Sequence, residues 1–263
     1  MKIKLSDQQI LNYKTDGVIL IKKIFVPWIK KLRIGFEKVL KKPGPHAREN
    51  VQIKNHGRFF EDYCNWERVE EFKDFIFNSP AAEIVAQTTG SDIVQIFHEH
   101  IFFKEAGTYK ETPWHQDLPY YCVEGNDTCS FWIPLSDVPK KNSLKVLKGS
   151  HNLDQLVKPT KWSNDKSWYK NNENFIDMPK IDDRNIFNED MNEGDAILFN
   201  FKVLHSTSGN GHDKVRKAFS VRFIGDDVRY IDRGEETSPP FKGINLKTGD
   251  RMREDWFPRV LIN

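Results

Sequence analysis

From residue 93 onward the chain runs through short stretches rich in β-formers: "IVQIFHEHIFFKE", "CSFWIPLSDV", "LKVLKGSH", "DAILFNFKVLHS" and "KAFSVRFIGDDVRYI". Clusters of Gly, Asn, Asp and Pro separate them, so the region reads as a succession of strands closing into a β-barrel or sandwich. Side chains two apart on a strand share a face. His98, His100, Phe102 and Lys104 therefore point one way, and so do Arg216, Ala218, Ser220 and Arg222.

Helices come first. "LSDQQILNYKTDG" fits a short helix with Ser6 as N-cap and Gly17 as its stop. "VILIKKIF" reads as a strand and "VPWIKKLRIGFEKVL" as an amphipathic helix, while residues 44–66 lack periodicity and read as loop. "ERVEEFKDFIFNSPAAEIVAQTTG" gives two helices broken at Pro80, whose ring and missing N–H discourage a continuous helix. The expected layout is one domain over 1–263. It has a helical part (1–92), a barrel core (93–231) with a lid-like polar insertion (152–190), and an irregular tail (232–263). Loops as long as that insertion are usually functional or disordered.

Charge excludes some partners. Forty basic residues against 38 acidic ones leave a net charge of +2, which gives no electrostatic case for nucleic acid or a membrane surface. "MKIKLSDQQILNYK" lacks the apolar core of a signal peptide, and no apolar run is long enough to span a bilayer. Cys64, Cys122 and Cys129 are odd in number and lack metal-ligand spacing, so a reduced, cytoplasmic protein is expected.

The chemistry centres on "PWHQD" and "LHSTSGNGHDKVR". His115 and Asp117, two apart, can face one point from a strand, and a distant histidine, His205, can complete a triangle. Two histidines and one carboxylate on one face leave coordination positions open, as non-haem Fe(II) oxygenases require for cosubstrate and O₂. A rival set exists in "HEHIFFKE", where His98, His100 and Glu105 resemble the first motif of a cupin-type metalloenzyme. Position 112 is Thr where that motif expects glycine, and no second motif matches it. Arg216, eleven residues after His205, breaks the tie. Its forked guanidinium suits the far carboxylate of a dicarboxylic cosubstrate such as 2-oxoglutarate, and His205 and Arg216 are expected on one hairpin.

With these residues in place, the chain resembles the phytanoyl-CoA dioxygenase family of Fe(II)- and 2-oxoglutarate-dependent oxygenases. The likeness runs from "YKTDGVILIKKIF" through "WHQDLPYY", "FWIPLSDV" and "LKGSH" to "GDAILFNFKVLHSTSGN" and "RKAFSVRFIGDD". It implies a double-stranded β-helix, a jelly-roll of the cupin-like kind. It also implies iron on His115, Asp117 and His205, with the distal carboxylate on Arg216, Thr207 at a small-hydroxyl position, Lys104 near the cosubstrate and Trp132 lining the same pocket. Lys148 and Ser143 depart from the family's usual turn residues. The implied reaction is oxidation, most simply hydroxylation, of a small molecule with release of succinate and CO₂. The alternatives are the cupin-type enzyme and a barrel that has lost catalysis and only binds a ligand.

The remaining candidates concern substrate. His98 and His100, inward if Lys104 is inward, can meet cosubstrate or substrate or serve as structural histidines. Arg222 is a second interior cation, paired with a buried acid or facing an anionic substrate. Tyr121 flanks the metal motif and can line the mouth. Trp162, Trp168 and Tyr169 lie in the polar insertion, where a lid over substrate is the better reading than a core.

Overall fold

The computed structural model describes residues 3–50, 57–162, 166–211 and 213–262. Its first helix, α1 (Asp7–Asp16), opens with a reciprocal capping box between Ser6 and Gln9 and closes on Gly17 in the left-handed region. Strand β1 (Val18–Ile21) follows, then α2 (Ile29–Lys41), the two-residue strand β2 (Arg48–Glu49) and β3 (Phe59–Tyr63). Helices α3 (Glu70–Asn78) and α4 (Ala81–Thr89) are separated at Pro80, as the sequence predicts. The long strand β4 (Ile93–Lys104) leads into β5 (Thr112–His115), β6 (Val123–Glu124), β7 (Thr128–Pro134) and β8 (Leu144–Leu147). After the insertion come β9 (Ile186–Phe187), β10 (Ala196–Phe199), β11 (His205–Thr207), β12 (Arg216–Ile224), β13 (Arg229–Tyr230) and β14 (Arg259–Ile262).

Two antiparallel sheets face each other. The larger runs β1-β10-β7-β12-β4-β3-β2, with β14 also pairing to β4, and the smaller runs β5-β11-β8-β9. This is a double-stranded β-helix, and it alternates cleanly. One face of the large sheet, carrying Ile101, Phe103, Phe131, Ile133, Phe219 and Val221, packs on Phe25, Phe36, Phe72 and Phe75 from the helical side. The opposite face carries His98, His100, Lys104, Ser130, Trp132, Arg216 and Arg222 toward the small sheet, because those residues pair in register across β4, β12 and β7. A register shift between Arg222 and Phe223 marks a bulge. It returns Ile96 to the helix-facing core while leaving His98 inside.

Three expectations need correcting. Residues 59–63, read as loop, are a fully buried strand; with β2 it extends the large sheet from the stretch expected to be loop, whereas β1 falls in the expected strand "VILIKKIF". The tail is not merely irregular. It buries Ile244, Met252 and Phe257 beside Phe97 and Tyr121, and it ends in β14. His205 and Arg216 do not share a hairpin, since β11 belongs to the small sheet and β12 to the large one. The chain crosses between sheets over residues 200–204, so His205 opens a new strand instead of ending the run "DAILFNFKVL". No described helix is long and apolar enough to cross a membrane.

Phe219 is fully buried on the helix-facing side, with ring centroids 4.7 Å from Phe72 and 5.5 Å from Phe75. Phe219→Ala should cost about 3–5 kcal/mol, since the helices cannot collapse fully into the space left. Urea melts of the two proteins measure this.

Candidate metal centre

Strands β5 and β11 pair with His115 directly opposite His205, which sets the two imidazoles side by side with ring centroids 4.1 Å apart. Asp117 reaches the same point differently from the strand alternation expected. The strand ends at His115, and Asp117 takes helical backbone angles (φ −73°, ψ −44°) at the start of a short 3-10 turn. Its amide and that of Leu118 both donate to the Phe201 carbonyl, at 2.9 and 3.0 Å, and this pins the turn against the crossing segment. Gln116 turns away, donating to the Lys202 carbonyl and accepting from Val157 N–H at 2.7 Å.

The proton inventory at this point is telling. Nδ1 of His115 lies 2.8 Å from the Pro113 carbonyl, and Nδ1 of His205 lies 3.1 Å from that of Val203. A carbonyl only accepts, so each Nδ1 carries the proton and each Nε2 presents a bare lone pair. Those lone pairs face Asp117 Oδ1 at 3.6 and 3.7 Å. Burial pushes the His205 pKa down to about 3, so it stays neutral. Two lone pairs converging on a carboxylate oxygen repel unless a cation lies between them. Among the described residues these three form the one group of His, Cys, Asp or Glu side chains fit to hold a metal, with ligand atoms within 4.8 Å of one another. The donor set therefore fits Fe(II).

Behind the ligands, Asp117 Oδ2 accepts from Ser130 Oγ at 3.2 Å and from Arg222 Nε at 3.1 Å. Burial alone would raise its pKa, but the Arg222 guanidinium, with His115 and His205, overrides that and holds the carboxyl well below its ordinary range. One oxygen is thus neutralised from behind and the other is left for the metal. Arg222 is the buried-acid partner that sequence left as one of two options. Ser130 was missed, although it shares a strand face with Trp132.

A second electrostatic feature lies at the other end of β12. Arg216 and Lys104 pair across β12 and β4, and both are buried. Arg216 donates to the Asn142 carbonyl, to the Ser208 carbonyl at 3.2 Å and to Thr207 Oγ1 at 3.4 Å. Lys104 Nζ donates to the Lys110 carbonyl at 2.9 Å and reaches the same Thr207 hydroxyl at 3.4 Å. Neither meets a carboxylate within 4 Å among the described residues. Burial lowers the Arg216 pKa to about 10, and burial plus Arg216 pushes Lys104 well below its usual value. Two adjacent buried cations without an acid are costly unless an anion joins them.

These features share one cavity of about 550 Å³. Its wall contains His115, Asp117 and His205, then Lys104, Thr207, Arg216 and Trp132, then His98, His100 and Arg222, and finally Tyr121, Trp162 and Trp168. Sequence reasoning overlooked Glu61 and Tyr63 in the same wall, because it read β3 as loop; the β-forming aromatics of "RFFEDY" were the available signal. Glu105 lies outside the wall, with its carboxylate accepting from Arg58 N–H at 2.8 Å, so the cupin-type set does not assemble. The insertion packs over the mouth. The Trp162 ring sits 4.9 Å from His115, and Tyr120 clasps Thr160 by donating to its carbonyl and accepting from its N–H. Tyr169, taken for a lid residue, is buried and anchors the insertion through its hydroxyl to the Pro119 carbonyl.

A double-stranded β-helix with this triad at its mouth defines a mononuclear non-haem iron enzyme that keeps coordination positions free. The family model for phytanoyl-CoA dioxygenase matches residues 13–218, and the chain belongs to that family. Curated relatives agree. The peroxisomal phytanoyl-CoA dioxygenase of Rattus norvegicus is 25% identical over 248 residues, covering 86% of this chain and 70% of that protein. The probable phytanoyl-CoA dioxygenase of Caenorhabditis elegans is 24% identical, covering 73% and 59%. Among solved structures, the non-heme α-ketoglutarate-dependent carbocyclase SnoK from nogalamycin biosynthesis superposes with a TM-score of 0.71 at 18% identity, covering 98% and 97% of the two chains. The epimerase SnoN, in complex with Fe³⁺, α-ketoglutarate and nogalamycin RO, gives 0.73 at 16%, covering 97% and 98%. The structural likenesses establish the fold; the family makes this chain an Fe(II)- and 2-oxoglutarate-dependent dioxygenase.

Arg222→Met should expose how the centre is balanced. Without metal, Asp117 becomes an uncompensated buried charge and stability should fall by about 3–5 kcal/mol. A divalent ion such as Mn(II) should then restore more stability than it adds to the wild type, read as the difference between melts with and without metal. Equal metal-induced shifts in both proteins would mean that Arg222 does not balance Asp117.

Proposed function

We propose that the chain oxidises a C–H bond of a small molecule, with Fe(II) on His115, Asp117 and His205 and the far carboxylate of 2-oxoglutarate between Arg216 and Lys104. The observation that carries this reading is the pairing of two unmet demands in one cavity. At one place lone pairs converge and call for a cation, and at another two buried cations call for an anion. 2-Oxoglutarate answers both, as a ligand to the metal at its oxo-acid end and a carboxylate at the other.

When bound, iron with 2-oxoglutarate and O₂ supplies an oxidant strong enough for an unactivated C–H bond, the oxo acid leaving as succinate and CO₂. The protein's own residues do the rest. Ser130 and Arg222 orient Asp117, and the backbone carbonyls of Pro113 and Val203 fix the histidine tautomers. Thr207 donates its hydroxyl to the cosubstrate carboxylate while receiving from both cations, and Trp132 and His100 wall the same space. Trp162 and Trp168, held by the Tyr120–Thr160 clasp, exclude water from the reacting centre. We take residues 1–263 as one domain, supported by β1 and β14 entering one sheet from opposite ends of the chain. We also place the protein in the cytoplasm, on the strength of three cysteines that remain free.

Anaerobic addition of Fe(II) and then 2-oxoglutarate should produce a weak visible charge-transfer band. No band from a folded, iron-loaded sample would sink the reading. Arg216→Ala should keep the fold and Fe(II) binding but weaken 2-oxoglutarate binding by about 2–5 kcal/mol. Arg216→Lys should recover only part, since an ammonium cannot match the planar two-point contact. Titrations paired with thermal melts separate this from a structural arginine, whose Ala variant would melt early yet bind 2-oxoglutarate normally.

A further inference from the structure

The cavity wall formed by β3, β4 and β12 holds polar atoms that the protein itself does not satisfy. Glu61 is 4% exposed, and its Oε2 has no hydrogen-bond partner. His100 Nε2, itself without a hydrogen-bond partner, stands 3.4 Å away, and no Lys or Arg comes within 4 Å among the described residues. His98 is 2% exposed and turns Nδ1 toward the Glu99 carbonyl at 3.3 Å, which leaves Nε2 as a bare acceptor with no partner. Arg222 commits Nε to Asp117, yet its Nη1 is buried and donates to nothing. Strand register explains the grouping. Arg222 pairs with His98, Tyr63 with His100 and Glu61 with Phe102, so these side chains stand together on the cavity face beside the metal-binding carboxylate.

Folded proteins rarely leave several buried polar atoms unmet, because each forfeits its hydration for nothing. An acyl chain laid against this wall would seal all of them under hydrocarbon and deepen that cost. A polar molecule would relieve it.

We propose that the substrate is a small polar molecule that presents an N–H or O–H donor to Glu61 and His98 and an acceptor to Arg222. This deepens the iron and 2-oxoglutarate reading and rests on it. It also separates the chain from an acyl-CoA such as its curated relatives are named for. Amines and hydroxyls share the required donor chemistry.

The test offers Fe(II)- and 2-oxoglutarate-loaded protein three probe sets in parallel and counts succinate. The sets are small amines and amino acids, polyols and sugars, and acyl-CoA thioesters with free fatty acids. Release at least tenfold above the substrate-free background is expected in one of the first two sets, and which one responds distinguishes amine from hydroxyl. Glu61→Gln and His98→Leu should both lose that stimulation, and His98→Leu should melt, without ligand, at or above the wild-type temperature, since it removes an unmet polar atom. Stimulation by the acyl set, or by neither polar set, overturns the proposal. So does a His98→Leu protein that melts several degrees lower or fails to fold, because that nitrogen would then be serving structure. Failure of the underlying reading is seen separately, as a wild type that shows no charge-transfer band and no substrate-free conversion of 2-oxoglutarate.

Discussion

The buried carboxylate of Asp117 is the charge around which the interior is arranged. A carboxylate this far from water survives only if both oxygens are answered. Ser130 and Arg222 answer Oδ2 from the large sheet, and the His115 and His205 lone pairs leave Oδ1 for a cation. The requirement joins the two sheets. The ligands come from the small sheet and its following turn, and the groups that steady them come from β7 and β12. The metal site is therefore a property of the sandwich rather than of either sheet.

The same strand β12 carries the second demand. Arg216 and Arg222 lie on one face of it, yet their surroundings differ. Arg222 has an acid against it, while among the described residues Arg216 and Lys104 meet carbonyls, a hydroxyl and the Phe59 ring but no carboxylate within 4 Å. The contrast supports the different roles proposed for them: Arg216 toward the cosubstrate, and Arg222 against Asp117 with Nη1 left over.

Access to the centre is governed by the insertion, which is stitched down where it matters. Tyr120, the last residue of the turn that Asp117 opens, grips Thr160, Gln116 just before that turn grips Val157, and Tyr169 grips Pro119. The covering segment and the ligand-bearing turn thus share hydrogen bonds. Their positions are mechanically coupled, so disturbance of the cover reaches Asp117 through a few covalent bonds. The tail completes the wall, burying Ile244, Met252 and Phe257 against the aromatic cluster around Phe97.

Much of this was legible in the chain. Alternation put His98, His100 and Lys104 on one face and Arg216 and Arg222 on another, because a strand's two-residue period is local, and the resemblance that placed Lys104 by the cosubstrate turned the first face inward. Ser6, Gly17 and Pro80 marked helix ends for similarly local reasons. The residue types at 115, 117, 205 and 216 dictated what chemistry could occur. What the sequence left open were matters of partnership between distant segments. These include the cross-over at 200–204 that parts His205 from its preceding strand, the helical turn that swings Asp117 off β5, and the strand at 59–63 that brings Glu61 and Tyr63 to the wall. Each is decided by which backbone hydrogen bonds a segment finds after the chain has folded back on itself. Sequence fixes a residue's chemistry and its side of a strand; only the packed sheets fix which charge it meets.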